Sequence, residues 1–295
     1  MDRYQLKVMI KKEYKELVKD RGLLASLLIV PIIFSIVLPV LLLLLGTSSE
    51  VSSSIAGLNT FINQFKIIDY PNYITTQTLP LYAVFTYFFL PLFMLLPIMI
   101  STLLASSSFI GEKEHKTLEG LLYTPVSPKI LILGKALGCA LPAVILATIS
   151  VIVYTLVVNA VGWGYFGHII LPNITWLLVT FLISPLLVLL SILLVIGSSQ
   201  YLKNSKSAQG ISMIVVAPIF GMLISQSTGV LILGVFETLV FIIALIFLVV
   251  VVFIVVMKLF NFEKFILNNW YPYKKVNMKS LAIVNTELLA EECIN

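Results

Sequence analysis

GEKEHKTLEGLLYTPVSPKILILGK, residues 111–135, is a polar island between two apolar runs that are each long enough to cross a bilayer, and its reading decides the fold. Within it Leu118, Leu121 and Leu122 form an i, i+3, i+4 stripe, and Glu112 and Lys116 make an i, i+4 pair in the favourable order, so the first half is expected to be helical. Gly120 weakens that helix and Thr124-Pro125 ends it, because the residue before a proline is pushed out of the helical region. Ser127-Pro128 predicts a restart, with serine as N-cap and proline at the first helical position. The island reads as helix, turn and helix, placed where one span leaves the membrane and the next enters.

Outward from the island the chain is apolar. Of its 295 residues 59% are hydrophobic and 11% charged, and a mean hydropathy of +1.06 excludes the soluble globular class. The apolar runs lack the alternation of an outer-membrane barrel, so helices are the expected spanning elements. Six spans are predicted: Leu23 to Leu45, Pro80 to Ser101, Leu137 to Val161, Ile174 to Gly197, Gly210 to Gly229 and Thr238 to Met257. With an even number of spans, every one of the 19 basic residues except Lys66 falls on one side, which puts both termini and the island in the cytoplasm. The net charge of +5 is then topology bias and gives no reason to invoke nucleic acid.

This divides the chain into a cytoplasmic interfacial helix (1–22), a six-helix transmembrane domain (23–257) and a cytoplasmic tail (258–295). In the first part Leu6, Met9, Ile10, Tyr14, Leu17 and Val18 recur at three- and four-residue intervals with lysines on the other face, the pattern of an amphipathic helix on the membrane surface. No cleavable signal peptide is expected, because the first apolar run is as long as a span and lacks a small-residue cleavage site. Ile55, Leu58, Ile62 and Phe65 predict a short helix in the outer segment between the first two spans. Prolines 31, 39, 91, 97, 142, 185 and 218 lie inside spans, where each removes a backbone hydrogen bond. Glu237 is the one acidic residue close to a span, and the outer end of the last span is its expected place, with a low-ranking role in substrate or ion binding.

The chemistry of an enzyme is missing from this pattern. Histidine and aspartate do not occur in the predicted spans, Cys139 and Cys293 fall in regions that should not meet, and His115 and His168 fall on opposite sides, so neither a catalytic set nor a metal site is expected. A phosphate-binding G-x-x-x-x-G-K-[ST] loop is also missing.

The residues Glu112, Glu114, Thr117, Leu118, Glu119, Leu122, Thr124, Pro125 and Ser127, with the later Gly134-Lys135, resemble the island pattern of permease subunits of type-2 ABC exporters. The basic N-terminal helix, the six spans and the Lys203 to Gln209 segment extend the resemblance over the whole chain. It implies a prokaryotic cell-membrane permease paired with a second permease half and with two ATP-binding subunits, which would carry the ATP and Mg that this chain does not bind. It also implies that the island, together with the N-terminal helix, contacts the ATPase, that Glu112, Glu114, Thr117 and Glu119 present polar groups to it, that Leu118, Leu121 and Leu122 hold the island helix against the spans, and that Pro125 and Ser127 belong to the same coupling segment. The cargo suited to so apolar a domain is an amphiphile: a drug, a lipid or a hydrophobic peptide. Two other classes share the composition, an ion-coupled secondary transporter using Glu237 and a non-enzymatic membrane assembly factor.

Overall fold

The computed structural model describes residues 3–45, 71, 74–75, 78–111, 128–199, 201–202, 207, 209–210, 213–228, 230 and 233–259, and every regular element among them is helical. Helix α1 is Arg3–Lys19. Asp20 then breaks the chain and caps the next helix, its Oδ1 accepting the Leu23 N–H at 3.0 Å. Helix α2 comprises Arg21–Ile32, a π-helical turn Ile33–Val37, and Leu38–Leu45. Helix α3 comprises Leu79–Ala83, a π turn Val84–Phe88, Phe89–Ala105, and a second π turn Ser106–Gly111. Helix α4 is Pro128–Phe166, and α5 comprises Ile174–Leu178, a π turn Val179–Ile183, and Ser184–Ser199. Helix α6 is Met213–Ser227 and α7 is Val235–Leu259.

Five of these, α2 to α5 and α7, are long and apolar enough to cross a membrane. The predicted fifth span, 210–229, is represented by α6, whose 15 residues cover about 22 Å at 1.5 Å per residue. The predicted second and third spans lie within longer helices. Helix α3 continues to Gly111, and α4 runs from Pro128 to Phe166. Hydropathy penalises Ser106, Ser108, Gly134 and Lys135, yet Ser106 and Lys135 are buried between helices, so polarity there marks a helix junction inside the protein. The expected island helix and the outer helix over Ile55 to Phe65 lie outside the described residues, as does the tail from residue 260.

Helix α3 is the axis of the bundle. Of its most apolar stretch 78% is buried, against 17% for α7, and it packs on α4, α5, α6 and α2. Three of the four π turns among the described residues share one cause. Each lies just before a proline, at Pro39 in α2, Pro91 in α3 and Pro185 in α5. Such a proline offers no N–H to the carbonyl four residues earlier and crowds it, so the helix widens by one residue. In α3 the freed region finds donors from other helices. The Tyr154 hydroxyl of α4 donates to the Phe85 carbonyl at 2.8 Å, the Trp176 indole of α5 to the Thr86 carbonyl at 2.9 Å, and the Gln226 amide of α6 to the Tyr87 carbonyl at 3.4 Å. The rings of Tyr154 and Trp176 stack at 4.9 Å, and Phe93 packs against both, at 4.6 and 5.2 Å. Backbone that would be orphaned in hydrocarbon is thereby satisfied.

Candidate functional site

The island is flanked by the end of α3 and the start of α4, and α1 is seated against both. Helix α1 crosses the first turns of α4 at Gly134 and Gly138, two glycines one helical turn apart. A Cβ on Gly134 would lie 2.7 Å from Met9 Cβ and Cγ, and one on Gly138 would lie 2.8 Å from Glu13 Cβ. Only glycine permits this approach; it is the small-xxx-small spacing of close membrane helix packing.

The approach brings three polar groups together. Lys135, 1% exposed, lies between the two glycines in sequence. Its Nζ is 3.2 Å from Glu13 Oε1 and donates to the Ser108 carbonyl at 2.8 Å and to the Ser108 hydroxyl at 3.3 Å. The Ser108 hydroxyl donates in turn to Glu13 Oε2 at 2.6 Å. Glu13 Oε1 makes ionic contacts, to Lys135 and at 3.9 Å to Lys12, without hydrogen-bond alignment. Glu13 is itself 7% exposed. The Lys135 ammonium also sits 5.7 Å from the centre of the Phe109 ring, on the same π turn as Ser108.

A buried acid, a buried base and a hydroxyl thus tie α1, α3 and α4 at one point. The three groups form one hydrogen-bonded cluster. Its chemistry is mechanical, because a displacement of any one helix separates a buried charge pair. Beside it a cavity of about 120 Å³ is lined by Glu13, Glu16, Asp20, Ser107, Ser108 and Cys139. Among the described residues no group of histidine, cysteine and carboxylate side chains could hold a metal.

The residues expected to couple to an ATPase, Glu112, Glu114, Thr117, Leu118, Glu119, Leu122, Pro125 and Ser127, lie outside the described residues. The structure describes the two helices between which they run. Glu237 is half-buried in the first turn of α7, where an acid complements the helix dipole, and its carboxylate packs on Gly234. The far end of α7 meets Gly197 near the end of α5 through Val256, and that part of α5 packs on the Ser106–Gly111 turn, so Glu237 lies at the opposite end of the bundle from the joint.

Sequence reading missed Glu13 and Ser108 and took Lys135 as a topology charge and part of a motif. The stripe read on α1 is also divided: Met9 is buried, whereas Tyr14 and Val18 face outward. The Gly134/Gly138 spacing was the available signal, since it marks where another helix must dock.

A search of curated proteins finds no match to this chain. The profile described as ABC-2 family transporter protein matches residues 8–261, from within α1 through the whole bundle and past the end of α7. With its membrane-spanning helices and with the island flanked by α3 and α4, the chain belongs to the ABC-2 family of transporter proteins.

Proposed function

We propose that this chain is the membrane permease of an ATP-binding-cassette exporter, moving an amphiphilic molecule out of the cytoplasm with energy from ATP hydrolysed, with Mg, on a separate subunit. The family supports a permease with an ATP-binding partner. The observation that carries the mechanism is the joint. Glu13, Ser108 and Lys135 fasten α1 to the two helices on either side of the island, so force received there passes into α3 and α4 together.

On this reading Glu112, Glu114, Thr117 and Glu119 meet the ATPase, with Leu118, Leu122, Pro125 and Ser127 shaping the island. The island and both termini are cytoplasmic, α6 completes six spans, and two permease halves form the transport unit in a prokaryotic cell membrane. The apolar bundle, with few ionisable groups within it, favours an amphiphilic cargo over an ion.

The test is reconstitution in vesicles with its ATP-binding subunit. Replacing Glu112, Glu114 and Glu119 together by glutamine should leave the complex assembled and abolish cargo-stimulated ATP hydrolysis. Unchanged stimulation in that variant would sink the coupling assignment. Transport driven by an ion gradient without ATP would sink the exporter reading itself.

A further inference from the structure

Helix α1 has one face against the protein and another that no part of the described chain covers. Met9, Glu13 and Leu17 are turned toward the bundle. On the opposite side Lys7, Lys11 and Lys15 are exposed together with Tyr4, Val8, Tyr14 and Val18, which are 50 to 79% exposed. At 100° per residue these seven occupy an arc of about 120°. Around that arc lysine and apolar side chains alternate, in the order Tyr14, Lys7, Val18, Lys11, Tyr4, Lys15, Val8.

The charge on this face is uncompensated. Of the two acids of α1, Glu13 is turned inward and Glu16 is held by Lys12 at 3.2 Å, while Lys7, Lys11 and Lys15 have no ion-pair partner among the described residues. The depth of the helix in the bundle is independently marked. Leu133, Leu137 and Leu141 of α4 are exposed at 44%, 37% and 51%, on the same turns where Gly134 and Gly138 receive α1. A stripe of exposed leucines belongs in hydrocarbon, so α1 runs beside the edge of the apolar layer.

We propose that the lysine face of α1 binds anionic phospholipid headgroups, with Lys7, Lys11 and Lys15 on the phosphates and Tyr4, Val8, Tyr14 and Val18 in the boundary with the acyl chains. Alternation suits that depth. Tyrosine is at home in the headgroup layer, and lysine stems lie along apolar surface while their ammonium groups reach phosphate. The membrane-binding side therefore takes only Tyr14 and Val18 from the apolar stripe legible in the sequence, whose inner member Met9 is packed on α4. Charge complementarity selects anionic over zwitterionic lipid, because each lysine near an anionic surface favours it about fivefold.

The full chain, carrying Tyr14→Trp, would be placed in vesicles of phosphatidylcholine with or without phosphatidylglycerol, with bromine on the acyl chains of one lipid or the other at equal density. Quenching of the added tryptophan, taken as the difference from the parent protein, should be stronger by brominated phosphatidylglycerol. High salt should reduce the preference, and Lys7→Gln with Lys11→Gln and Lys15→Gln should remove it while leaving quenching by phosphatidylcholine in place. All three lysines are exposed, and the single variant Lys11→Gln, expected to lose part of the preference, guards against a misfolded triple variant. Equal quenching by both lipids, or a preference that survives the triple substitution, would overturn the proposal. Quenching by neither would put the face away from lipid and would overturn the proposal as well. The measurement involves no ATPase and no cargo, so its outcome is separable from that of the transport reading.

Discussion

Lys135 concentrates the residue-scale chemistry. Its ammonium is enclosed, and Glu13 and the carbonyl and hydroxyl of Ser108 are among the groups that match its charge. Removing one member of a buried ion pair costs more than the pair contributes, because the remaining charge is stranded. Lys135→Met should therefore destabilise the protein by about 3–5 kcal/mol. Glu13→Leu added to Lys135→Met should recover much of that loss, since no buried charge remains. Thermal unfolding of the purified chain, its two single variants and the double variant forms the cycle that measures this; a loss in the double variant equal to the sum of the two single losses would show that the groups are not coupled. None of this was legible in the residues. Glu13 and Glu16 are both acids on α1, and only the orientation of the helix, set by two glycines on a different element, turns one inward and leaves the other at the surface.

Two elements show how sequence rules become packing. For α1 the deciding contacts are with Gly134 and Gly138. Gly138→Ala would drive a Cβ into the Cβ of Glu13, backbone-proximal on both sides, so α1 must move away. Hydrogen exchange over residues 3–19 should accelerate in that variant, whereas Gly164→Ala, where a Cβ meets nothing within 4 Å, should leave it unchanged. For α3 the deciding contacts are the donors to its widened turn. Tyr154→Phe keeps the ring stack and removes only the hydrogen bond to the Phe85 carbonyl, so a loss of about 0.6–1.7 kcal/mol is expected. Tyr154→Ala also removes the stack with Phe89 and Trp176 and should cost about 3–5 kcal/mol. The prolines were visible in the sequence, and so was the need to satisfy a freed carbonyl. Which helix would supply the donor was not, since that depends on neighbours brought together from residues 69 to 139 positions away.

At the scale of the whole molecule the number of crossings is the open quantity with the sharpest test. Five helices have full spanning length and α6 has 15 residues. Helix α6 nevertheless follows α3 for most of its length: Gln226 reaches the Tyr87 carbonyl near one end, and Met213 lines a cavity with Met99 and Thr102 toward the other. That course supports a sixth crossing. It predicts that tags on the two termini are reached by protease from the same side of sealed vesicles; tags on opposite sides would reduce the crossings to five. The helical class, the approximate spans and the basic asymmetry were legible because hydropathy and charge act locally along the chain. The lengths of the helices were not, because Ser106 and Lys135 are buried by neighbours that a sliding window does not contain.

The shared dependence of α3 on three later helices sets an order of assembly. Helix α3 is made before Tyr154, Trp176 and Gln226 exist, yet the carbonyls of Phe85, Thr86 and Tyr87 take their side-chain donors from those residues. During synthesis its widened turn must be kept wet, or sheltered by the insertion machinery, until α4, α5 and α6 arrive in turn. The centre of the bundle is thus among the first parts made and the last to be completed, and a nascent chain halted before Gln226 would carry an unfinished axis into the lipid.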